Sequence, residues 1–281
     1  MSHLWNKTLE LQIDAQQLHA TLRPSWRQRR AGAIHISSGR STPLAQALQA
    51  LLGELQQQGD LAQAGLQVSV ANALVHFDVV AGHYASYSAQ QLQAIAQGCV
   101  AELLGDAAAD QAVRWQLQPD LQHLLLCAME QSLIDAVVQA AQQHGLHLHS
   151  LQPAFCAHWS RYAYALHQGS GVFSVVETDS AGQADSQAGV GGGVGYGLIA
   201  CAEHGSIMAL SHGRWALPVA APNSIPDNTP NSALDQRVDR LLASLGQPAQ
   251  ELNDFVLLAR EPQALAPSAR WKVLDWQLEQ A

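Results

Sequence analysis

Two stretches of the chain are written in the same grammar, and that repetition limits the possible folds more than any other feature. Each opens with a run that alternates apolar and polar residues, reverses into a second such run, and only later reaches an amphipathic helix. In the first stretch Leu9, Leu11 and Ile13 share one face, Ala15, Gln16 and Gln17 interrupt, and LHATLR returns as the second strand of a hairpin. A third strand is expected at AGAIHIS (31–37), followed by a helix in STPLAQALQALLGELQQQG. Its stripe is Leu44, Leu48, Leu51 and Leu55, with Ser41 as cap, Pro43 in the first turn and Gly59 as a left-handed stop. The second stretch follows GSG at 169–171: GVFSVVETD, GYGLIACAE, SIMALSH and GRWALPV read as four successive strands. A loop with four prolines (218–233), a helix from Leu234 to Leu245 and strands at 254–259 and 271–278 complete it.

Between these stretches LQVSVANALVHFDVV (66–80) reads as one long or two adjacent strands, and a helix is entered from Ser88. VRWQL and HLLLCAM form a strand pair across Gln118-Pro119-Asp120, a helix runs from Glu130 to His144 and stops at Gly145, and LHLHSLQP is a strand ahead of a further helix. Two mixed α/β halves imply two related subdomains, 1–165 and 166–281.

Composition narrows the function classes. With 48% apolar and 13% charged residues in 281, the chain is expected to pack, and no run approaches the ~20 apolar residues that span a bilayer. The opening MSHLWNKTLE lacks the pattern of a secretory signal, so a cytoplasmic location is expected. A net charge of −9 argues against nucleic acid as a partner. Five of the fourteen cations, Arg23, Arg27, Arg29, Arg30 and Arg40, cluster together, as a solvated turn or as a contact for anionic headgroups or an acidic partner. Cys99, Cys127, Cys156 and Cys201 stand apart among apolar neighbours and read as buried thiols.

The run GVGGGVGYG near residue 189 holds six glycines in nine positions. It admits no GxGxxG frame, no lysine follows it, and LIACA beyond it is strand-like, so it is not a dinucleotide or Walker cradle. It reads instead as part of a mobile loop at 181–197. His147 and His149 are expected on one face of a short strand, but no Cys, Asp or Glu lies beside them to complete a metal shell. No GxSxG word marks a hydrolase, and no catalytic residue or metal site is assigned. Trp115, Trp215, Trp271 and Trp276 are expected in the sheets, while Trp5 and Trp26 flank the first hairpin and the basic cluster.

The stretch LQVSVANALVHFDVV, a helix ending in LLG, VRWQL, then GLHLHSLQPAF before CAHWSRY is similar to the actin-like cytoplasmic domains of the PilM and GspL family, which serve type IV pilus assembly and type II secretion. CAEHGSIMALSHGRWALPV resembles the hairpin of such domains in which a word like "dGrW" forms a turn. The resemblance spans roughly residues 66–218. It implies an α/β fold of the actin and Hsp70 (ribonuclease H-like) kind: two related subdomains, each a mixed sheet flanked by helices, around a cleft that holds ATP and magnesium in active members. It also implies a partner, the cytoplasmic tail of a PilN-like inner-membrane protein, and a place peripheral to that membrane.

In this superfamily two hairpin turns, one opening each half, present an Asp with glycine and hydroxyl residues to the phosphates and metal-bound water. On that pattern the cofactor-binding residues here are Asp14, Glu177, Asp179 and Gly182. Yet Ala15, Gln16 and Gln17 follow Asp14, Glu177 stands where Asp is expected, and REPQALAP follows VLLA where an adenosine-side Gly-Gly belongs. The expectation is therefore a noncatalytic adaptor without cofactor, the alternative a PilM-like ATPase using ATP and magnesium.

Overall fold

Alternation in the first hairpin becomes burial of every second residue. In the computed structural model, which describes residues 7–25, 32–40, 43–178, 193–217, 233–246, 254–259 and 270–275, β1 (Thr8–Ile13) and β2 (Gln17–Arg23) pair antiparallel, with Leu9, Leu11, Ile13, Leu18, Ala20 and Leu22 buried. β3 (Ile34–Gly39) pairs antiparallel with β2, whereas β4 (Gly65–Val70) and β8 (His147–Pro153) extend the other side in parallel, giving the order β3-β2-β1-β4-β8. Helix α1 (Leu44–Gln58) packs on β2 and β3 and against α3 (Gln131–Gln143), which packs on β8. Leu48, Leu51, Leu52 and Leu55 of α1 are fully buried, each contributing roughly 1.5–3 kcal/mol relative to exposure.

The second sheet repeats the first, strand for strand. β9 (Gly171–Thr178) is central, β10 (Gly193–Glu203) and β11 (Ser206–Leu217) follow antiparallel, and β12 (Phe255–Ala259) and β13 (Lys272–Asp275) are parallel, in the order β11-β10-β9-β12-β13. Helix α5 (Ala233–Ser244) packs on β10 and β11, burying Leu234, Val238 and Leu242 against Val172, Val176, Ile199, Leu257 and Trp271. Two sheets with this strand order and this pattern of directions are the duplicated mixed sheet of the actin-like, ribonuclease H-like fold expected from the sequence.

Between β4 and α3 the chain inserts β5 (Val75–Ala81), α2 (Ala89–Leu104), β6 (Gln111–Leu117) and β7 (His123–Glu130), whose strands form a separate sheet ordered β5-β7-β6. Helix α2 starts in a reciprocal cap: Gln91 N–H donates to Ser88 Oγ, and Gln91 Oε1 accepts from the Ser88 backbone N–H. By contact density the chain divides into two units, Met1–Val75 with Val100–Val113 and Ala128–Ala157, and His76–Cys99 with Arg114–Cys127 and His158–Ala281. A short helix α4 (Ala154–Tyr162) precedes β9, and Trp159 meets Phe173 edge to face, 5.5 Å between centroids.

Several local expectations change. SIMALSH and GRWAL are one strand, β11, so HGRW is strand rather than turn and the reversal is at His204-Gly205. Residues 193–197 of the glycine run belong to β10, because Tyr196 and its neighbours find ladder partners on both sides. Gly59 ends α1 in an extended conformation (φ −159°), not a left-handed one, and a Cβ there would press on the terminal methyl of Ile34 at 2.9 Å. In β8 the register slips at His149, which breaks the shared face expected for His147 and His149. His147 instead bonds Gln63 Oε1 (2.7 Å), His144 bridges Gln49 and Gln56, and the His149 ring lies over Gly65. None of the four cysteines is in a disulfide, and burial pushes the Cys127 and Cys201 thiols up to about 11, well away from reactivity. Arg23 of the basic cluster forms a two-point pair with Glu10; Arg27, Arg29 and Arg30 lie outside the described residues, as do Ser41, Trp5, Trp26 and Trp276.

Two buried polar side chains predict opposite outcomes. Asp235, fully buried in the first turn of α5, accepts the Trp271 indole N–H at 2.9 Å, while Ser174, fully buried on β9, has a hydroxyl with no partner. Asp235→Ala is expected to cost about 1–3 kcal/mol and Ser174→Ala to be neutral or stabilising by about 1 kcal/mol in denaturant unfolding. A second prediction concerns acid. Burial, with Arg161 adding to it, pushes the His158 imidazole down to about 4, whereas the unfolded chain takes up that proton near pH ~6.5. The unfolded state binds more protons across this window, so the contribution is full above it and is lost as pH falls towards 4. The melting temperature should drop over that interval, and His158→Gln should flatten the dependence.

Candidate functional site

Two places on the chain gather chemistry-bearing side chains. The first is the pair of strand ends where the acidic residues were expected. In β1 the last residue paired with the parallel neighbour is Ile13, opposite Val70, and Asp14 follows; in β9 it is Val176, opposite Ala259, and Glu177 follows. Asp14 and Glu177 therefore occupy equivalent positions in their two sheets. Asp179 and Gly182 lie outside the described residues.

The turn after Asp14 is closed by the protein itself. Asp14 N–H donates to Gln17 C=O (2.9 Å), Arg40 N–H to Gln16 C=O (2.6 Å), and the Arg40 guanidinium to Asp14 C=O (3.3 Å). None of Asp14, Ala15 or Gln16 has a positive φ, and no glycine is present to let a phosphate approach the backbone. Ala15 and Gln16 stand where a phosphate turn carries glycine and hydroxyl residues. Glu177 faces Tyr196 across the ladder, and burial together with that carboxylate pushes the phenol up to about 12. The Tyr196 hydroxyl donates to His212 Nδ1 (2.8 Å), because His212 Nε2–H is given to Phe77 C=O (3.2 Å). Burial holds His212 below its ordinary value, which keeps it an acceptor for Tyr196.

The second place lies within the second unit, where the β6–β7 connection meets the tip of the β10–β11 hairpin. Glu203 pairs with Ser206, leaving a two-residue turn in which His204 (φ 48°) and Gly205 (φ 81°) are both left-handed, the geometry of a type I′ reversal. One pair beyond the tip the register slips: Ala202 faces Ile207 and Cys201 faces Ala209, so Met208 is a bulge. The tip is gripped from both sides. Gly205 N–H donates to Gly169 C=O and His204 N–H to Ser170 Oγ, both at 2.9 Å. A Cβ on Gly169 would lie 2.7 Å from Gly205 N, so that position requires glycine. Opposite, the buried Gln118 side chain accepts the Ile207 N–H (3.0 Å), and Asp120 N–H donates to buried Ser206 Oγ (3.1 Å).

The β6–β7 connection is itself a tight device. Gln118 N–H donates to His123 C=O and Leu121 N–H to Gln118 C=O, with Leu121 left-handed at φ 58°. Asp120 Oδ1 accepts the Gln122 and His123 N–H groups, and Oδ2 takes the His123 ring at Nδ1, 2.6 Å away. Burial would raise the Asp120 carboxyl, but these donors and the imidazole charge hold it below its usual value. Between the two reversals lies a cavity of about 390 Å³ whose lining includes Pro119, Asp120, His123, Glu203, His204 and Met208. Three of the four non-glycine residues with positive φ among the described residues, Leu121, Gln168 and His204, surround this tip, so backbone strain is concentrated here.

Sequence reasoning placed Gln118-Pro119-Asp120 in a turn but missed the site. Two signals mark it: an Asp three residues before a His in a reversal, and His204 where a two-residue hairpin turn prefers Asn or Gly.

No protein-family model matches the chain, and no curated protein matches it. Among solved structures it is similar to the cytoplasmic domain of EpsL, an inner membrane component of the type II secretion system of Vibrio cholerae, with 12% identity, 96% of this chain and 88% of that one covered, and a TM-score of 0.48. It is similar also to the PilM-PilN type IV pilus biogenesis complex, with 14% identity, 95% and 88% coverage and a TM-score of 0.49. A third is a Bacteroides thetaiotaomicron protein with actin-like ATPase fold and unknown function, with 9% identity, 92% and 84% coverage and a TM-score of 0.46. No helix among the described residues is long and apolar enough to cross a membrane.

His204 tests the strain at the tip. His204→Asn or His204→Gly is expected to raise stability by up to about 1 kcal/mol in chemical unfolding, since either residue enters the left-handed region at lower cost.

Proposed function

We propose that the chain is a noncatalytic actin-like adaptor on the cytoplasmic side of the inner membrane, in an assembly of the type IV pilus or type II secretion kind. It captures a cytoplasmic segment of a PilN-like membrane partner and holds it in the assembly. The supporting observation is the turn after Asp14, where the backbone bonds to itself and to Arg40, and where Ala15 and Gln16 stand in place of glycine and hydroxyl residues. A chain that keeps the duplicated sheet but closes its first phosphate turn retains the fold as a scaffold.

The second reading is an ATPase of the PilM kind, and one observation favours it: Asp14 and Glu177 stand at equivalent strand ends. Thermal unfolding with and without millimolar Mg-ATP or Mg-ADP separates the two. The adaptor reading predicts no shift. A saturable gain, about 2.7 kcal/mol at 100 times the dissociation constant, that is lost in Asp14→Ala and Glu177→Ala would replace it with the ATPase reading. Binding of the cytoplasmic tail of a membrane protein encoded beside the chain is the positive arm; absence of binding to any such tail contradicts the adaptor role.

A further inference from the structure

We propose that the cavity between the β6–β7 connection and the β10–β11 tip receives the side chain of a lysine or arginine from a basic peptide segment. This deepens the adaptor reading and rests on it for the source of the peptide. The lining has the parts such a side chain needs. Asp120 Oδ1 takes the Gln122 and His123 N–H groups and Oδ2 the His123 ring, which orients that ring and leaves Oδ2 one further acceptor site. The His123 ring, 12% exposed, lines the cavity with its Nδ1 held by Asp120 Oδ2. Glu203 supplies a carboxylate: its side chain is 46% exposed, with His204 Nδ1 3.9 Å away. Met208, turned out of the ladder by the bulge, and Pro119 give apolar wall against which four methylenes can lie.

The surroundings favour a basic segment over other occupants. Leu121, 45% exposed and held left-handed beside the cavity, offers contact to apolar neighbours of the inserted residue. The chain carries a net charge of −9, so a cationic peptide approaches without repulsion. Cytoplasmic segments next to a membrane helix are enriched in Lys and Arg, which is the chemistry this cavity accepts. A metal ion is the weaker occupant, since no group of three His, Cys, Asp or Glu among the described residues is arranged to hold one.

The test is an amide-resolved NMR titration of the full chain with three capped amino acids: Nα-acetyl-lysine amide, Nα-acetyl-arginine amide and Nα-acetyl-norleucine amide. Saturable shifts at Asp120, Gly205 and Ser206 are expected with the two cationic probes and not with norleucine. Glu203→Gln, at an exposed and nearly isosteric position, should weaken the response about five-fold while leaving the remaining spectrum in place. Equal shifts with norleucine, no saturation at these amides, or unchanged affinity in Glu203→Gln would each overturn the proposal. The probes carry no membrane-protein sequence, so failure of the adaptor reading leaves their binding intact. Tail binding that survives Glu203→Gln unchanged would instead remove this cavity and leave the adaptor standing.

Discussion

The buried carboxamide of Gln118 ties the inserted element to the second sheet at the point where the β10–β11 ladder is broken. Ile207 stands beside the Met208 bulge, and its N–H is satisfied by Gln118 Oε1, while Gln118 Nε2–H is returned to Gln116 C=O. A buried amide left without a partner costs about 1–3 kcal/mol, so this contact decides whether the bulge is tolerable. Asp120 N–H to Ser206 Oγ adds a second bond a few residues away. Together they place the reversal carrying Asp120 and His123 against the reversal carrying Glu203 and His204, and the cavity exists because neither loop is free to retreat.

The acidic strand ends and the tip cavity divide the chemistry of the molecule. The turn after Asp14 spends its polar groups on itself and on Arg40, and Glu177 is set against Tyr196, whose hydroxyl continues through His212 to the inserted strand β5. At the hairpin tip, by contrast, an oriented imidazole and a solvent-facing carboxylate are displayed on strained backbone.

Much of the fold was legible because periodicity is a local signal. The alternation of Leu9, Leu11 and Ile13, the leucine stripe of α1 and the run FVLLA all folded as their spacing indicates. What was hidden depended on partners distant in sequence. Residues 66–80 carry no mark that β4 and β5 belong to different sheets, and nothing in SIMALSHGRWALPV separates one strand from two until β10 supplies the pairing. Gly59 ends α1 as its position indicates, but in an extended conformation, and the side chain it lies against is Ile34, twenty-five residues earlier. The placement of Asp14 and Glu177 was readable from the residues that precede them, whereas the tip cavity joins positions some ninety residues apart, such as Gln118 and Ile207.

Native-state hydrogen exchange at the Ile207 amide tests the central claim most directly, because this one group reports whether the inserted element is bound to the bulged hairpin. The account predicts that Ile207 N–H is protected to nearly the level of global unfolding and that Gln118→Ala lowers its protection selectively, leaving strand amides such as Val175 unchanged. Rapid exchange at Ile207 in the unaltered chain, or protection indifferent to Gln118→Ala, would contradict it.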